Sequence, residues 1–341
     1  MASNAFICGL AGTELSNDES AFLRDARPWG VILFKRNAED PTQVRRLCRG
    51  VREALEREDA PILIDQEGGR VQRIGPPHVR AYPAGAVYGE VYRRNSLAGA
   101  EAAFLGAKLI ALDLYAMGVS VNCVPVLDIP VEGGTSAIGN RGLGNNVDMV
   151  ATLGGAQLDG TLAGGLLPVI KHMPGHGRAM VDSHSELPQV DATMAELEAQ
   201  DFTPFRLIAK RAPLGMTAHV VYLDVDDSAP ATLSPAVIGN VIRQRIGFDG
   251  ALMTDDLSMG ALSGDVRSRA VRAIKAGCDL VLHCNGDLME MIDVASGVPE
   301  LAGDALRRAD AALAFQRPPG QVDRKSLEAR FDFLLGQVAV A

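Results

Sequence analysis

The sequence predicts a (β/α)8 barrel of the TIM type, and three observations support this prediction. Eight short apolar segments rich in β-forming residues recur along the 341 residues. These segments are continuously apolar rather than alternating, which is typical of parallel strands buried on both faces. Stretches with a helical pattern separate them, and such strand–helix alternation builds parallel sheets. A doubly wound open sheet has the same alternation and is the alternative architecture.

The predicted strands are short and consist mainly of Val, Ile, Leu and Ala. In chain order, we expect them at Ala5–Leu10, Gly30–Phe34, Pro61–Asp65, Val119–Ile129, Leu166–His172, Leu214–His219, Ala251–Asp256 and Cys278–Cys284. A barrel of eight parallel strands commonly reaches this chain length as one unit.

Four of the predicted helices have recognisable ends. One begins at Asp40-Pro41, a favourable N-cap and first-turn pair, and continues to Leu55. The other three are expected at about residues 97–117, 194–212 and 234–246, with Pro204 bending the second of these. Each of these four helices lies between two successive predicted strands.

Nothing in the composition divides the chain. There is no Pro/Ser-rich linker, no shift in composition and no repeat of fixed period, while the hydrophobic content of 47% is enough for a large core. We therefore expect one barrel domain over residues 1–341. A helical segment from about residue 298 to 341 is expected to pack on the outside of the barrel.

Charge and cysteine content limit the classes of function. A net charge of −9 without a Lys/Arg block disfavours nucleic acid or an anionic membrane as a partner. No stretch approaches the roughly 20 apolar residues of a membrane span, and the N-terminus lacks the cationic region of a signal peptide. Five scattered cysteines without a CxxC motif are expected to be free thiols. We expect a cytoplasmic monomer.

Seven of the eight predicted strands end in polar or charged residues. These ends are Lys35-Arg36-Asn37, Asp65-Gln66-Glu67, Asp128, Lys171-His172, His219, Asp255-Asp256 and His283. In a parallel barrel, all such ends open on one face, where barrel enzymes build their active sites. A single polar strand end needs no functional explanation, but seven favour a shared polar pocket.

The segment IDQEGGRVQRI places Asp65 at a strand end and brings Arg70 and Arg73 close behind it. Gly68-Gly69 allow a tight turn between them. A carboxylate and a guanidinium that face one cavity can bracket a polyhydroxylated ligand, with Asp accepting and Arg donating hydrogen bonds. An Asp–Arg ion pair that only holds the loop is an equal alternative. No GxGxxG pattern follows, so a dinucleotide fingerprint is not supported.

The glycine-rich loop SAIGNRGLG, Ser136–Gly144, carries Arg141. A phosphate-binding loop is one interpretation, but the GK[ST] ending of such loops is missing. A loop that places one arginine in the pocket is the simpler interpretation.

The segment KHMPGHGRAMVDSH contains three of the six histidines. His172 and His176 have the spacing of a helical zinc pair, but Pro174-Gly175 exclude a regular helix between them. A metal site that also uses the later Asp and His of this segment is a minor alternative. We expect no metal and no cofactor.

Asp182 and His184 lie two residues apart in the same segment, so in an extended chain their side chains can point the same way. A carboxylate beside an imidazole fixes the tautomer and stabilises the protonated form. His184 is therefore a candidate general acid/base near neutral pH. The alternative is a structural Asp–His hydrogen bond, which is common on loops.

The segment GFDGALMTDDLSMGAL ends a predicted strand in Asp255-Asp256. Successive strand residues face opposite ways, so only one of these carboxylates can face the pocket as a nucleophile or base. The other is expected to cap a helix or to bind backbone. The pattern does not decide between them. No GxSxG elbow surrounds Ser258, which disfavours a Ser-His-Asp hydrolase.

Three of these motifs, KHMPGHG…DSH, IDQEGGRVQR and GFDGALMTDDLSMGA, together resemble the bacterial β-N-acetylglucosaminidases of glycoside hydrolase family 3, of the cell-wall recycling type. The resemblance covers about residues 30–286, with the motifs in the same order. It implies a (β/α)8 barrel that hydrolyses terminal β-linked N-acetylglucosamine (GlcNAc) with retention of configuration. The substrate it implies is GlcNAc-1,6-anhydro-MurNAc, a muropeptide fragment with or without attached peptide, in the cytoplasm.

The resemblance also implies roles for individual residues. The aspartate after Thr in its [ST]-D-D-L motif, here Asp255, would be the nucleophile. The histidine of D-S-H, here His184, would be the acid/base, assisted by Asp182. Sugar-binding positions of the family fall on Asp65, Arg73, Arg141, Lys171 and His172.

Two departures from the family pattern are visible. Met173 stands where phenylalanine is usual, and IGNRGLG replaces the usual IG[DE]RS[FY], which alters the surroundings of Arg141. Within the family, β-glucosidases are the nearest alternative, but they generally lack the D-S-H loop. A sugar-binding barrel without hydrolytic activity is a further alternative, which the combined D-S-H and T-D-D motifs disfavour.

Overall fold

Eight parallel strands close into a barrel in the computed structural model, which describes residues 3–336. The strands are β1 (Asn4–Cys8), β2 (Pro28–Leu33), β3 (Ile62–Ile64), β4 (Val121–Asn122), β5 (Leu167–Met173), β6 (Leu214–Thr217), β7 (Ala251–Asp256) and β8 (Leu280–His283). Each strand pairs with its neighbours in chain order, and β8 pairs in parallel with β1 to close the barrel. The predicted barrel is confirmed, and the open doubly wound sheet is excluded.

Apolar side chains cover both faces of the barrel strands. Alternate residues such as Ile7, Val169 and Met253 form one buried cluster, which fills the barrel interior. The intervening residues, such as Phe6 and Val31, belong to a second cluster that packs against the helices. This double burial explains why the strands are continuously apolar in the sequence.

The fourth strand is much shorter than predicted. The apolar run Val119–Ile129 was expected to form one strand, but only Val121–Asn122 belongs to the barrel ladder. Pro125 follows and has no N–H to donate to a ladder. The chain still runs beside β5, because Leu127 N donates to Lys171 O over 2.7 Å. This irregular stretch brings the end of the run to the mouth of the barrel.

Ten α-helices are found among residues 3–336, most of them between strands. They are α1 (Asn17–Ala26), α2 (Pro41–Leu55), α3 (Gly85–Arg94), α4 (Ser96–Ala116), α5 (Val147–Ala163), α6 (Thr203–Ile208), α7 (Val266–Ala276), α8 (Leu288–Gly297), α9 (Gly303–Leu313) and α10 (Arg324–Gly336), beside the single turn Met194–Glu196. The predicted start of α2 is confirmed, since the Asp40 side chain accepts hydrogen bonds from Thr42 N and Gln43 N.

Two predicted helices differ in detail. The helix expected over residues 194–212 is interrupted by a π-helical turn, Leu197–Asp201, and α6 follows after Phe202 with Pro204 in its first turn. The helix expected over residues 234–246 is π-helical over Val237–Arg245, and the Ser234 hydroxyl accepts a hydrogen bond from Val237 N. Both segments still connect successive strands, as predicted.

The chain after β8 packs on the outside of the barrel. The α10 side chain Phe331 is fully buried, with its ring 6.4 Å from those of both Tyr82 and Tyr88. Residues 337–341, the end of the predicted C-terminal segment, lie outside the described residues, as do residues 1 and 2. The division into one domain stays a prediction.

Two further expectations concern the whole chain. All five cysteines are free and buried, as predicted. Within residues 3–336, no helix is long and apolar enough to cross a membrane.

Candidate active site

A cavity of about 320 Å³ opens at the carboxyl ends of the barrel strands. All eight candidate residues line it: Asp65, Arg73, Arg141, Lys171, His172, Asp182, His184 and Asp255. Apolar side chains, including Phe34, Met216 and Met259, complete the wall. Three of the seven polar strand ends, those with Asp65, Lys171-His172 and Asp255-Asp256, therefore share this pocket, on the face where a parallel barrel gathers its strand ends.

A buried lysine is the centre of the charged network in the cavity. Lys171, near the end of β5, is 2% exposed, and its Nζ lies 2.7 Å from Asp65 Oδ1 and 2.8 Å from Glu67 Oε1. Arg73 Nη2 donates to the other Asp65 oxygen over 3.0 Å. Burial alone would lower the pKa of Lys171, but the two carboxylates outweigh it and hold this pKa above its ordinary value. The ammonium is therefore charged at every working pH.

Glu67 joins this network to the loop that carries Arg141. Arg141 makes a bidentate pair with it, with distances of 2.9 Å from Nε to Oε2 and 2.8 Å from Nη2 to Oε1. Burial acts to raise the pKa of Glu67, yet Lys171 and Arg141 lower it to about 2. The altered IGNRGLG loop thus still delivers its arginine to the cavity.

No role for Glu67 was predicted from the sequence, although it stands in a polar strand end. A usable signal was its spacing, because it follows Asp65 by two residues, and such residues can face the same side of an extended chain. The segment forms a small hairpin, in which Gln66–Gly68 pairs antiparallel with Val71–Gln72. Gly69 turns it with a positive φ of 57°, as the Gly-Gly pair predicted.

The ion pair that was one of the two explanations for Asp65 and Arg73 is present, and the binding of a ligand by both residues stays a prediction. The residues form an ion pair, and both face the cavity. Arg70, the neighbouring candidate, donates to the carbonyls of Ser136 and Ala137 over 2.6 Å each. It therefore holds the Arg141 loop against the hairpin.

Asp128 organises the histidines that follow β5. It is fully buried, and its carboxylate accepts hydrogen bonds from His172 Nδ1 and from His176 N, each over 2.6 Å. Burial acts to raise the pKa of Asp128, but His172 outweighs it and holds this pKa below its ordinary value. The bond fixes the ring of His172 at the cavity wall. The sequence identified Asp128 only as a polar strand end.

The structure distinguishes the two aspartates that end β7. Asp256 accepts hydrogen bonds from Ser258 N over 2.9 Å and from Cys284 N over 3.0 Å, so it binds backbone, as one of the pair was expected to do. Both aspartates line the cavity, but Asp255 accepts its backbone hydrogen bond from Asp256 N, over 2.8 Å, and not from another segment. Burial would raise the pKa of Asp255, but His172 and His219 keep it below the ordinary value. Asp255 is therefore ionised at neutral pH.

Asp182 and His184 form a pair at the cavity mouth. Oδ1 of Asp182 lies 2.8 Å from His184 Nδ1 and 3.0 Å from the backbone N of the same histidine. Partial burial acts to raise the pKa of Asp182, and these two hydrogen bonds bring it below the ordinary value. The imidazole is 71% exposed. The expected carboxylate–imidazole pair is present, on a loop that faces solvent on one side.

A constrained turn carries the chain from β5 to this loop. A Cβ on Gly177 would lie 1.9 Å from the carbonyl oxygen of Ile129, so no other residue fits there without moving backbone. His172 and His176 do not lie on a helix, because His172 belongs to β5 and His176 to the turn after it, and their ring nitrogens Nδ1 and Nε2 contact Asp128 and Ser183, respectively. Among residues 3–336, no group of three His, Cys, Asp or Glu side chains could hold a metal ion.

Comparison with known proteins places the chain in a family. The family described as "Glycosyl hydrolase family 3 N terminal domain" matches residues 8–309. The chain belongs to glycosyl hydrolase family 3. It is 40% identical over 288 residues to a beta-hexosaminidase of Alkalilimnicola ehrlichii, which covers 84% of this chain and 82% of that one. A beta-hexosaminidase of Bordetella avium is 37% identical over 318 residues, covering 92% and 85%.

Solved structures of this family have the same fold. NagZ from Neisseria gonorrhoeae in complex with N-trifluoroacetyl-D-glucosamine superimposes with a TM-score of 0.89 at 31% identity, covering 100% of this chain and 99% of that one. The predicted family and the predicted enzyme class, a glycoside hydrolase related to β-N-acetylhexosaminidases, are confirmed. The roles of individual residues in this family 3 enzyme stay predictions.

Proposed function

We propose that this family 3 enzyme is a retaining exo-β-N-acetylglucosaminidase of peptidoglycan recycling. Its substrate would be GlcNAc-1,6-anhydro-MurNAc, with or without peptide, from which it removes the terminal β-1,4-linked GlcNAc in the cytoplasm. The observation that carries the proposal is the cavity that contains a partly buried, ionised Asp255, the Asp182–His184 pair and a charged network around the buried Lys171. The relatives named beta-hexosaminidase and the neighbour bound to a glucosamine derivative support the choice of sugar.

Asp255 is the nucleophile in this proposal. Its carboxylate attacks the anomeric carbon and forms a covalent glycosyl-enzyme, while the bond from that carbon to the leaving oxygen breaks. An ionised carboxylate is required for this step. The electrostatic influence of His172 and His219, which keeps the pKa of Asp255 low despite burial, supplies that condition.

His184 transfers the protons. As imidazolium it protonates the leaving oxygen, and as neutral imidazole it then removes a proton from the water that hydrolyses the glycosyl-enzyme. Retaining glycosidases usually use a second carboxyl group for this task, so a histidine–aspartate pair would replace it here. Asp182 accepts the hydrogen bond from Nδ1 and leaves Nε2 as the reactive nitrogen.

The charged network binds the sugar. Asp65 accepts hydrogen bonds from ring hydroxyls, while Lys171 and Arg73 donate to them, and all three are held in place by mutual ion pairs. Arg141 and His172 complete the binding wall. Preformed and paired groups of this kind lose little conformational freedom when the sugar binds.

Turnover of two aryl glycosides tests the proposal. The enzyme should hydrolyse aryl β-N-acetylglucosaminide much faster than aryl β-glucoside. His184→Ala should lower kcat by about 10²- to 10⁴-fold, the usual contribution of a general acid/base. His78→Ala, the same change at an exposed histidine, is the matched control and should leave kcat unchanged. Dominant hydrolysis of the glucoside, or no hydrolysis of either, would overturn the proposal.

A further inference from the structure

The loop with Asp182 and His184 has a buried inner side. Ser183 lies between these two residues but is only 3% exposed, because its side chain points away from solvent. Its Oγ lies 3.1 Å from Nε2 of His176. The exposed pair is therefore tied to the protein interior by the one residue between them.

His176 is a rigid anchor for that contact. It is 3% exposed, and its backbone N donates to Asp128, the residue that also orients His172. Burial lowers the pKa of His176 to about 4, so the imidazole is neutral at neutral pH. Its Nδ1 is buried without a hydrogen-bond partner among residues 3–336. Among residues 3–336, the His176 ring therefore makes one hydrogen bond, and its partner is Ser183.

The same loop also contacts the segment that follows Asp255. Gly260 N donates to His184 O and Ala261 N donates to Ser183 O, each over 3.2 Å. A Cβ on Gly260 would lie 2.9 Å from His184 O, so the two segments approach more closely than other residues allow. These contacts fix the position of the acid/base loop relative to the segment that carries the nucleophile.

We propose that His176 and Ser183 are positioning residues, whose side-chain hydrogen bond holds the Asp182–His184 pair in place beside Asp255. The inference rests on the proposed role of His184 as acid/base. The loop is otherwise exposed and is held to the 260–261 segment by backbone contacts, so loss of one buried hydrogen bond shifts the loop toward positions that do not reach the leaving oxygen. The role of His176, which the zinc-like spacing did not explain, follows from this arrangement.

Leaving-group dependence separates positioning of the acid from general damage. A substrate with a poor leaving group, such as methyl β-N-acetylglucosaminide, needs protonation by His184, whereas the 2,4-dinitrophenyl glycoside does not. For Ser183→Ala, kcat/KM should fall by about tenfold with the methyl glycoside, as expected for a lost hydrogen bond. With the dinitrophenyl glycoside it should change less than about twofold, because kcat/KM reports only steps up to the first irreversible one.

Matched variants complete the test. Ser263→Ala removes an exposed hydroxyl from the chain just beyond the 260–261 segment and should leave kcat/KM unchanged for both substrates. Ser183→Thr keeps the hydroxyl and should restore most of the activity on the methyl glycoside. His176→Ala should show the same leaving-group dependence, and the double variant with Ser183→Ala should be no slower than the slower single variant.

The results distinguish the inference from the function on which it rests. If Ser183→Ala leaves both substrates unchanged, or slows both equally, the positioning role is wrong. If His184→Ala itself shows no leaving-group dependence, the proposed acid/base is wrong. If His184→Ala shows that dependence and Ser183→Ala does not, the function stands and only the positioning role fails.

Discussion

The pairing of Glu67 with Lys171 and Arg141 predicts a large loss of stability in Glu67→Gln. The change keeps the shape of the side chain but removes its charge, and the new amide N–H would face cationic donors. Breaking a buried ion pair by removing one partner costs about 3–5 kcal/mol. Lys171 keeps its contact with Asp65 and Arg141 keeps one to Ala137 O. We therefore expect the free energy of unfolding to fall by about 3 kcal/mol, the lower end of that range.

Urea unfolding at pH 7 measures this change. Glu186→Gln is the matched control, because Glu186 lies exposed on the acid/base loop, and its variant should stay within about 0.5 kcal/mol of the wild type. A loss below about 1 kcal/mol in Glu67→Gln, typical of a solvent-exposed pair, would refute the reasoning that this network is buried and coupled.

Glu67→Gln also predicts how the difference in stability between wild type and variant depends on pH. The pKa of Glu67 lies at about 2 in the folded enzyme, below its ordinary value of 4.5. A carboxyl group whose pKa is lower in the folded than in the unfolded protein stabilises the folded state at pH values above its unfolded-state pKa. This stabilisation is lost as the pH falls through its folded-state pKa. The stability difference between wild type and Glu67→Gln should therefore be constant above about pH 5 and shrink between pH 4.5 and about 2. A difference that grows on acidification would contradict the assignment.

Three further predictions address other parts of the site. Gly177→Ala should lower the free energy of unfolding by about 3 kcal/mol, because its Cβ would meet Ile129 O, whereas Gly239→Ala, with open space around its Cβ, should not lower it. Asp128→Asn should reduce kcat/KM on aryl β-N-acetylglucosaminide by about 10- to 100-fold through the lost orientation of His172, and a change below twofold would show that the bond is dispensable. Treatment with EDTA should leave kcat unchanged, and activity that is lost and then restored by zinc would show a metal-dependent reaction.

The barrel was predictable from the sequence because its strands are buried on both faces and so appear as continuous apolar runs. The error at β4 has a definite cause, since the apolar run Val119–Ile129 contains Pro125, which cannot donate to a ladder, and only a single bridge to β5 forms beyond it. The π-helical turn before α6 depends on local hydrogen-bond geometry, which the hydrophobic periodicity of the sequence does not record. Residue composition thus predicts where an element lies better than where it ends.

The cavity residues were predictable for a different reason. Their motifs have a fixed order, and a parallel barrel gathers strand ends on one face. The roles of Glu67 and Asp128 were not predictable in the same way, because their partners are contributed by other strands and loops and meet them only when the barrel closes. The role of Ser183 was not predictable either, because its contact with His176 depends on the turn through Gly177.

Covalent labelling tests the central claim most directly. A fluorinated N-acetylglucosaminide slows hydrolysis of the glycosyl-enzyme, so the labelled residue can be located by proteolysis and mass spectrometry. The proposed mechanism predicts one sugar per chain, attached to Asp255, and no stable label in Asp255→Asn. A label on any other residue, Asp256 included, would contradict the account of this cavity as the site of retaining hydrolysis.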